Sequence, residues 1–212
     1  MSYFHIPSYL GTFWGLVWQQ VYMAGASVLF GFLISLPLGL ICARWKRFYP
    51  PVLGLATVFY SIPSLAIFVI LIDYTGATPT TVIIPLSVYT IAVLLPNIVD
   101  GLHSVSDEVR LAATAMGFTG LRRLVRVELP IAVPAIMAGL RVATVGNISM
   151  ASVGVLIGVG SLGSLFVAAA QLDRPNLAVT GIIAIVVIAL VADMLLIAVQ
   201  WLLTPWNRRR RT

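Results

Sequence analysis

The sequence is poor in charge and in cysteine. Only 9% of its 212 residues are Asp, Glu, Lys or Arg, whereas soluble domains carry about a quarter. So few charges exclude a soluble globular domain. The single cysteine, Cys42, excludes an internal disulfide. Its place near the end of an apolar run predicts an inert, buried side chain.

Signals for a cleaved leader and for a cofactor site are also lacking. Residues 1–13 contain no basic residue, so the first apolar segment is expected to remain in the mature protein. The glycine-rich stretch 154–163 has no lysine and no strand–loop–helix setting. This argues against nucleotide binding and favours a closely packed re-entrant segment. His5 and His103 have no neighbours suited to a metal, so no metal ligand, cofactor or catalytic residue is predicted.

Long apolar runs make up most of the chain, which is 60% hydrophobic. Residues 48–72 and 74–99 contain no charge, and each run exceeds the roughly 20 residues that span a bilayer. We therefore predict an all-α membrane protein with residues 1–212 in one transmembrane domain. Five spans are expected, at about 13–42, 51–72, 79–99, 130–153 and 177–203. Pro63, flanked by two serines, should break the second span, with hydroxyls bonding the freed backbone groups.

Basic residues indicate the orientation of these spans. Eleven of the thirteen fall in segments on one side of the predicted spans: Arg44, Lys46, Arg47, Arg110, Arg122, Arg123, Arg126 and Arg208 to Arg211. Arg174 lies on the other side, and Arg141 lies within a span. Because such clusters mark cytoplasmic segments, the N-terminus is predicted outside and the C-terminus in the cytoplasm of a multi-pass cell-membrane protein. The net charge of +6 is thus explained by topology, not by nucleic-acid binding.

Two ionisable residues fall deep inside apolar spans, where a charge needs a partner. Arg141 lies eleven residues after Pro130, and Asp193 lies ten residues before Leu203. At about 1.5 Å per residue, both lie roughly 15 Å from the cytoplasmic face. We predict that they approach each other, either as a structural link between spans four and five or as a gating pair.

Neutral polar residues also occur in spans three and four. Asn97, Asn147 and Ser149 are candidates for the lining of a transport pathway. The alternative is hydrogen bonding between helices, worth well under ~2 kcal/mol each. Both interpretations stay open for the two asparagines, and bonding between helices is favoured for Ser152.

The longest polar interruption, 104–129, predicts two short helices between membrane spans. Ser104 lies three residues before Asp107, a capping-box spacing. Gly117 is suited to end the first helix in a left-handed conformation, and Thr119 can cap the second. Such a segment can bind another protein or lie as an amphipathic loop on the membrane surface.

Small residues give the first of these helices a thin face. Ala112 and Ala113, then Gly117, then Leu129 and Pro130 have the spacing of the cytoplasmic EAA loop of ABC importer permeases, which this segment resembles. In that family the loop docks on the ATP-hydrolysing subunit and transmits its motion. The leading glutamate of the motif is replaced here by Leu111, and Glu108, one turn earlier, can partly stand in for it.

The resemblance extends over roughly residues 57–165. The chain is similar there to the osmoprotectant permeases, the membrane subunits of glycine betaine, carnitine and choline importers. The similar segments are Ser61 to Ala66, Leu95 to Asn97, Gly101 to Val105, Ala138 to Arg141, Asn147-Ile148 and Leu156 to Gly163. A departure follows Pro96, because the family often has Arg-Asn where this chain has Val99-Asp100.

This resemblance implies the core of a type I, MetI-like importer permease with five transmembrane helices. It implies a non-catalytic subunit that works with ABC ATPase subunits, which carry the ATP and Mg²⁺. The other implied partners are a second permease subunit, identical or related, and an extracytoplasmic substrate-binding protein. Two alternatives stay open: an ABC permease for another small solute such as an amino acid, and an ATP-independent carrier or channel.

Overall fold

The structure is a computed structural model that describes residues 6–205, with side chains from residue 12 onward. His5 and the tail with Arg208 to Arg211 lie outside the described residues. Nine α-helices occupy the described range: α1 Ile6–Arg44, α2 Tyr49–Ser61, α3 Ser64–Thr75, α4 Pro79–His103, α5 Asp107–Ala115, α6 Gly120–Arg123, α7 Leu129–Ala151, α8 Ser164–Gln171 and α9 Pro175–Leu203. Short 3₁₀ turns cover Lys46–Phe48 and Ser152–Ile157, and a π turn covers Leu124–Glu128.

Four helical stretches are long and apolar enough to cross a membrane. They are Thr12–Arg44, Pro79–His103, Gly120–Ile157 and Pro175–Leu203. The pair α2–α3 makes a fifth if it counts as one span, and it is bent by 88°. The predicted all-α membrane fold is thereby confirmed. The orientation of the termini stays a prediction.

Helix α4 forms the centre of the bundle and packs against α1, α2, α3 and α7. Its side chains Leu86, Leu94, Leu95 and Ile98 are fully buried. Glycines of α1 let the two backbones approach closely, since a Cβ at Gly31 would lie 2.4 Å from Thr90 Cβ. Packing between small residues is the usual way in which helices associate in lipid.

The bend between α2 and α3 follows from Pro63, which has no backbone N–H. The Tyr89 hydroxyl of α4 donates a hydrogen bond to the freed Ile62 carbonyl. The Ser61 hydroxyl donates a hydrogen bond to Thr57 O at 2.9 Å, an ordinary length for such a bond. A hydroxyl group does bond the free carbonyl at the break, but it belongs to Tyr89 of α4 and not to one of the flanking serines.

Helix α9 lies at the edge of the bundle, against α7 and α8. Within Pro175–Leu203, Gly181 is the buried residue. Apart from the side that carries Asp193 and contacts α7 and α8, this helix is apolar and largely exposed, which suits contact with lipid hydrocarbon.

Candidate functional site

The first helix of the loop predicted at 104–129 begins later than its sequence indicates. Helix α4 extends to His103, so Ser104 closes α4 by donating to Gly101 O at 2.8 Å. The residue before α5 is Ser106, with extended backbone. The predicted capping role of Ser104 is therefore wrong, because the preceding helix continues four residues past the expected end of its span.

The first turn of α5 carries Asp107 and Glu108, where the helix dipole favours negative charge. Hydrogen bonding by the Ser106 hydroxyl, and then by the backbone N–H of Glu108 itself, lowers the pKa of the exposed Glu108 carboxyl. Glu108 thus stabilises the start of the loop helix as an anion.

Gly117 ends α5 as predicted, with a left-handed φ of +81°. Its N–H donates to Thr114 O at 2.9 Å, and the Phe118 N–H donates to Ala113 O at 3.1 Å. These two bonds make a Schellman motif, which turns the chain sharply at low cost only with glycine.

The small residues of α5 do not share one exposed face. Ala113 is buried by the chain itself, whereas Ala112 and Gly117 are exposed. The prominent exposed side chains of the loop are apolar: Leu111 (69%), Met116 (70%), Leu121 (75%) and Val125 (54%). Exposed apolar side chains in an otherwise polar loop are typical of a protein-binding surface.

The second predicted loop helix is continuous with the next span. Helix α6 passes through the π turn into α7, giving one helical run over Gly120–Ile157. Pro130 accounts for the wide turn, because its ring would clash with the Arg126 carbonyl in a regular α-helix. A displacement of α6 is therefore carried directly into the membrane span.

Arg123 joins the two parts of the loop to this span. Its Nε donates to Glu128 Oε1 at 2.8 Å, across the five-residue π spacing. Its Nη1 donates to Thr114 Oγ1 of α5 at 3.0 Å. Glu128 is mostly buried, with 12% of its side chain exposed. The arginine thus holds α5 against the start of α7.

The two intramembrane charges meet in the structure. Arg141 of α7 donates two hydrogen bonds to Asp193 of α9, Nε to Oδ1 at 2.6 Å and Nη2 to Oδ2 at 2.8 Å. This paired geometry is the strongest that arginine makes with a carboxylate. The depths estimated from the sequence placed both residues at one level, and the packing of α7 on α9 brings them together.

The three pathway candidates lie in different surroundings. Asn147 is 3% exposed, and its Nδ2 donates to Thr90 Oγ1 at 2.8 Å. Asn97 is half-buried against Gly139, and its Nδ2 donates to Val93 O in its own helix at 2.8 Å. Ser149 is exposed beside an apolar groove between α7 and α9. No common surface brings the three together within this chain.

One buried polar residue escaped the sequence analysis. Gln20 of α1 is fully buried, and its Nε2 donates to Ser152 Oγ at 3.0 Å and to Ile148 O. Its Oε1 accepts from the Leu162 N–H at 3.2 Å. The pair Gln19-Gln20 near the N-terminus of an apolar span was the available signal, and it does not identify partners more than 120 residues away.

The sequence matches a known family over most of its length. Residues 35–209 match the family described as the binding-protein-dependent transport system inner membrane component. The chain is 31% identical to the carnitine transport permease protein OpuCB of Listeria monocytogenes, covering 89% of this chain and 86% of that one. It is 29% identical to the choline transport system permease protein OpuBB of Bacillus subtilis, over 97% of both. It is 32% identical to the osmoprotectant import permease protein OsmW of Salmonella typhimurium, over 90% and 91%.

Solved structures share the fold. The chain resembles a permease chain of the inward-facing MetNI methionine ABC transporter, with a TM-score of 0.75 and 22% identity over 94% of this chain and 99% of that one. A chain of an amino acid ABC transporter with histidines gives a TM-score of 0.68 and 19% identity, over 99% and 100%. These likenesses establish a MetI-like helical core.

Proposed function

The chain belongs to the family of binding-protein-dependent transport system inner membrane components, and from this premise we propose that it is the permease subunit of an ATP-driven importer for a quaternary-amine osmoprotectant. Glycine betaine, carnitine and choline are the solutes in view. The observation that carries the proposal is the full-length similarity to permeases named for these solutes, at 29–32% identity over 89–97% of this chain.

The family consists of transport components rather than catalysts. We place the ATPase, with its ATP and Mg²⁺, on separate subunits that dock on the loop 104–129. Support comes from the apolar side chains of Leu111, Met116 and Leu121, which are 69–75% exposed in this chain. Ala112, Gly117, Leu129 and Pro130 shape that surface, and Ala113 seats it on the bundle.

Coupling would then pass along one helix. The ATPase moves α6, the π turn transmits the motion to α7, and Arg123 keeps α5 moving with them. Arg141 and Asp193 link α7 to α9, and in this scheme they keep the two spans together as the path opens to either side. Asn97, Asn147 and Ser149 remain candidates for contact with the solute.

Two further partners complete the importer. A second permease subunit would form the path together with this chain. An extracytoplasmic binding protein would deliver the solute, which it holds through attraction between the quaternary ammonium and aromatic faces. Solute choice would rest chiefly with that receptor.

Reconstitution tests the proposal. The chain is placed in proteoliposomes with the ATPase and receptor encoded beside it, and uptake of labelled glycine betaine, carnitine, choline and methionine is measured. We expect uptake of at least one quaternary amine that requires ATP and the receptor. Methionine uptake alone would assign another ABC solute, and transport by the chain alone would indicate a carrier.

A further inference from the structure

A cavity of about 430 Å³ opens at the end of the bundle where α1 and α4 finish, which we call the loop end. Its volume falls in the range of small-molecule sites. It is enclosed by these two helix ends and the loop helices. The lining residues that concern its chemistry are Arg44, Trp45, Leu102, Arg110, Arg123 and Glu128.

Positive charge dominates this cavity. Three guanidinium groups line it, from Arg44, Arg110 and Arg123, against the carboxylate of Glu128, which is already bonded to Arg123. Within residues 12–205, Arg44 forms no ion pair. The carboxyl ends of α1 and α4 contribute about −0.5 charge each. These helix ends, together with the exposed Asp107 carboxylate 3.9 Å from Arg110 Nη1, offset part of the charge of the three guanidinium groups.

One nitrogen of the cavity lining lacks an acceptor. Arg110 Nη2 donates to Leu102 O at 2.8 Å, and Nη1 lies 3.9 Å from the exposed carboxylate of Asp107. Among the described residues, Arg110 Nε is the buried side-chain nitrogen or oxygen that has no hydrogen-bond partner. A buried charged donor is unfavourable without an acceptor, so the hydrogen bonding of the Arg110 side chain is incomplete among the described residues.

The mouth of the cavity lies at the level expected for lipid headgroups. Trp45 lines it and packs edge-on against Phe48, with ring centroids 6.0 Å apart. Both rings are about half exposed, at 53% and 46%. Tryptophan beside the end of an apolar span is typical of the membrane–water interface. Lys46 lines a neighbouring cavity that shares Arg110 as a wall and also contains Asp107.

We propose that this cavity binds the phosphate of an anionic phospholipid headgroup. Guanidinium groups match phosphate oxygens with paired hydrogen bonds, and the exposed Arg44 guanidinium forms no ion pair with the described residues. Free phosphate has the same chemistry, but the interfacial aromatic pair at the mouth favours a ligand that is held in the bilayer. The exposed apolar residues Leu111, Met116 and Leu121 are not among the residues that line this cavity.

Native mass spectrometry of the full chain in detergent tests the site. Phosphatidylglycerol, phosphatidylcholine and inorganic phosphate are titrated separately against wild type, Arg44→Gln and Arg47→Gln. Arg44 is exposed and unpaired, so its substitution leaves the fold intact, and circular dichroism verifies this. Arg47 is an exposed neighbour outside the cavity lining and serves as the matched control.

We expect wild type and Arg47→Gln to retain phosphatidylglycerol in preference to phosphatidylcholine, and Arg44→Gln to bind it about tenfold more weakly. Equal retention of both lipids by wild type would overturn the proposal, as would equal losses in both variants. Binding of free phosphate without preference for the anionic lipid would overturn the assignment to a headgroup. None of these readouts depends on transport, so the result is independent of the proposed function.

Discussion

The two ends of the bundle differ in the charge, burial and hydrogen bonding of their polar groups. At the far end, the polar groups of Gln20 and of the turn 152–163 are neutral, buried and bonded to one another, and the charges of Asp173 and Arg174 lie apart from them on an exposed turn. At the loop end, about 36 Å away along α1, the polar groups are charged, and apolar side chains such as Leu121 are exposed. The far end completes its own bonding, and the loop end leaves groups for partners. This contrast distinguishes a scaffold from a binding surface.

The far end is most sensitive at Gly163. A Cβ there would lie 2.0 Å from the Ser152 carbonyl oxygen, which is backbone and cannot give way locally. We expect Gly163→Ala to cost about 3 kcal/mol, the upper part of the usual range for overpacking, and to reduce recovery of a monodisperse protein in detergent. Gly146→Ala is the control, since nothing lies within 4 Å of its Cβ. Equal thermal stability of the two variants would contradict the description of the far end as a rigid scaffold.

A charge swap tests whether the Arg141–Asp193 pair holds α7 to α9 between the two ends of the bundle. Arg141→Asp and Asp193→Arg each place like charges opposite one another within the membrane, so each should abolish most ATP-driven uptake and lower the thermal stability. The double variant restores opposite charges and should recover much of both. If the double variant is no better than either single one, the pair does not hold α7 to α9.

Substitution of an exposed apolar residue at the loop end should weaken binding of the ATPase and leave the thermal stability of the chain unchanged. Leu121→Asp places a charge on the exposed apolar surface, and we expect capture of the ATPase to weaken roughly thirtyfold, as for a binding hot spot. Leu172→Asp, an exposed leucine at the far end, should leave capture unchanged. Comparable losses in the two variants would remove the distinction between the ends. Thermal stability is measured in parallel and should hardly change.

A substitution at Arg123 distinguishes the transmission of ATPase motion to the membrane span from the docking of the ATPase. Arg123→Gln removes the hydrogen bonds to Glu128 and Thr114. If the coupling between α5 and α7 loses about 1 kcal/mol, we expect uptake to be roughly fivefold slower. ATPase capture should stay the same. Arg122→Gln, which loses a contact with the Phe118 ring at 5.1 Å, is the matched control. Slower uptake in Arg122→Gln alone would exclude the bridging role of Arg123.

The smallest effect is expected at Glu108. Its lowered pKa means that it stabilises α5 above the unfolded value near 4.5, and that this contribution is lost as pH falls below 4.5 through the folded pKa. Amide exchange in α5, corrected for intrinsic rates, should increase on acidification, while α8 stays constant. In Glu108→Gln the pH-dependent step should be absent. An unchanged step in that variant would assign it to another group.

Features set by local chemistry could be predicted from the sequence. Gly117 ends α5 because only glycine adopts its conformation cheaply, and Pro63 breaks a span because it lacks an N–H. Arg141 and Asp193 could be paired because membrane thickness converts residue number into depth. For these residues, one local or geometric constraint determines the outcome.

Features that depend on the packing of distant segments could not be predicted. Ser104 has a capping-box spacing, but α4 continues through it. Ala113 belongs to a small-residue motif, yet the bundle covers it. Gln20 is bonded to a turn more than 130 residues away. In each case several local structures were equally compatible with the sequence, and tertiary contacts determined which one formed.

Thiol labelling measures the central claim, that the loop end binds the ATPase, most directly. The single native cysteine, Cys42, is fully buried, so Leu121→Cys and Leu172→Cys each present one reactive thiol. Maleimide labelling is followed with and without the ATPase subunits. We predict at least about tenfold slower labelling at position 121 when the ATPase is bound, with no change at position 172. Unchanged labelling at 121 in a complex that has formed, or protection at 172, would contradict the account.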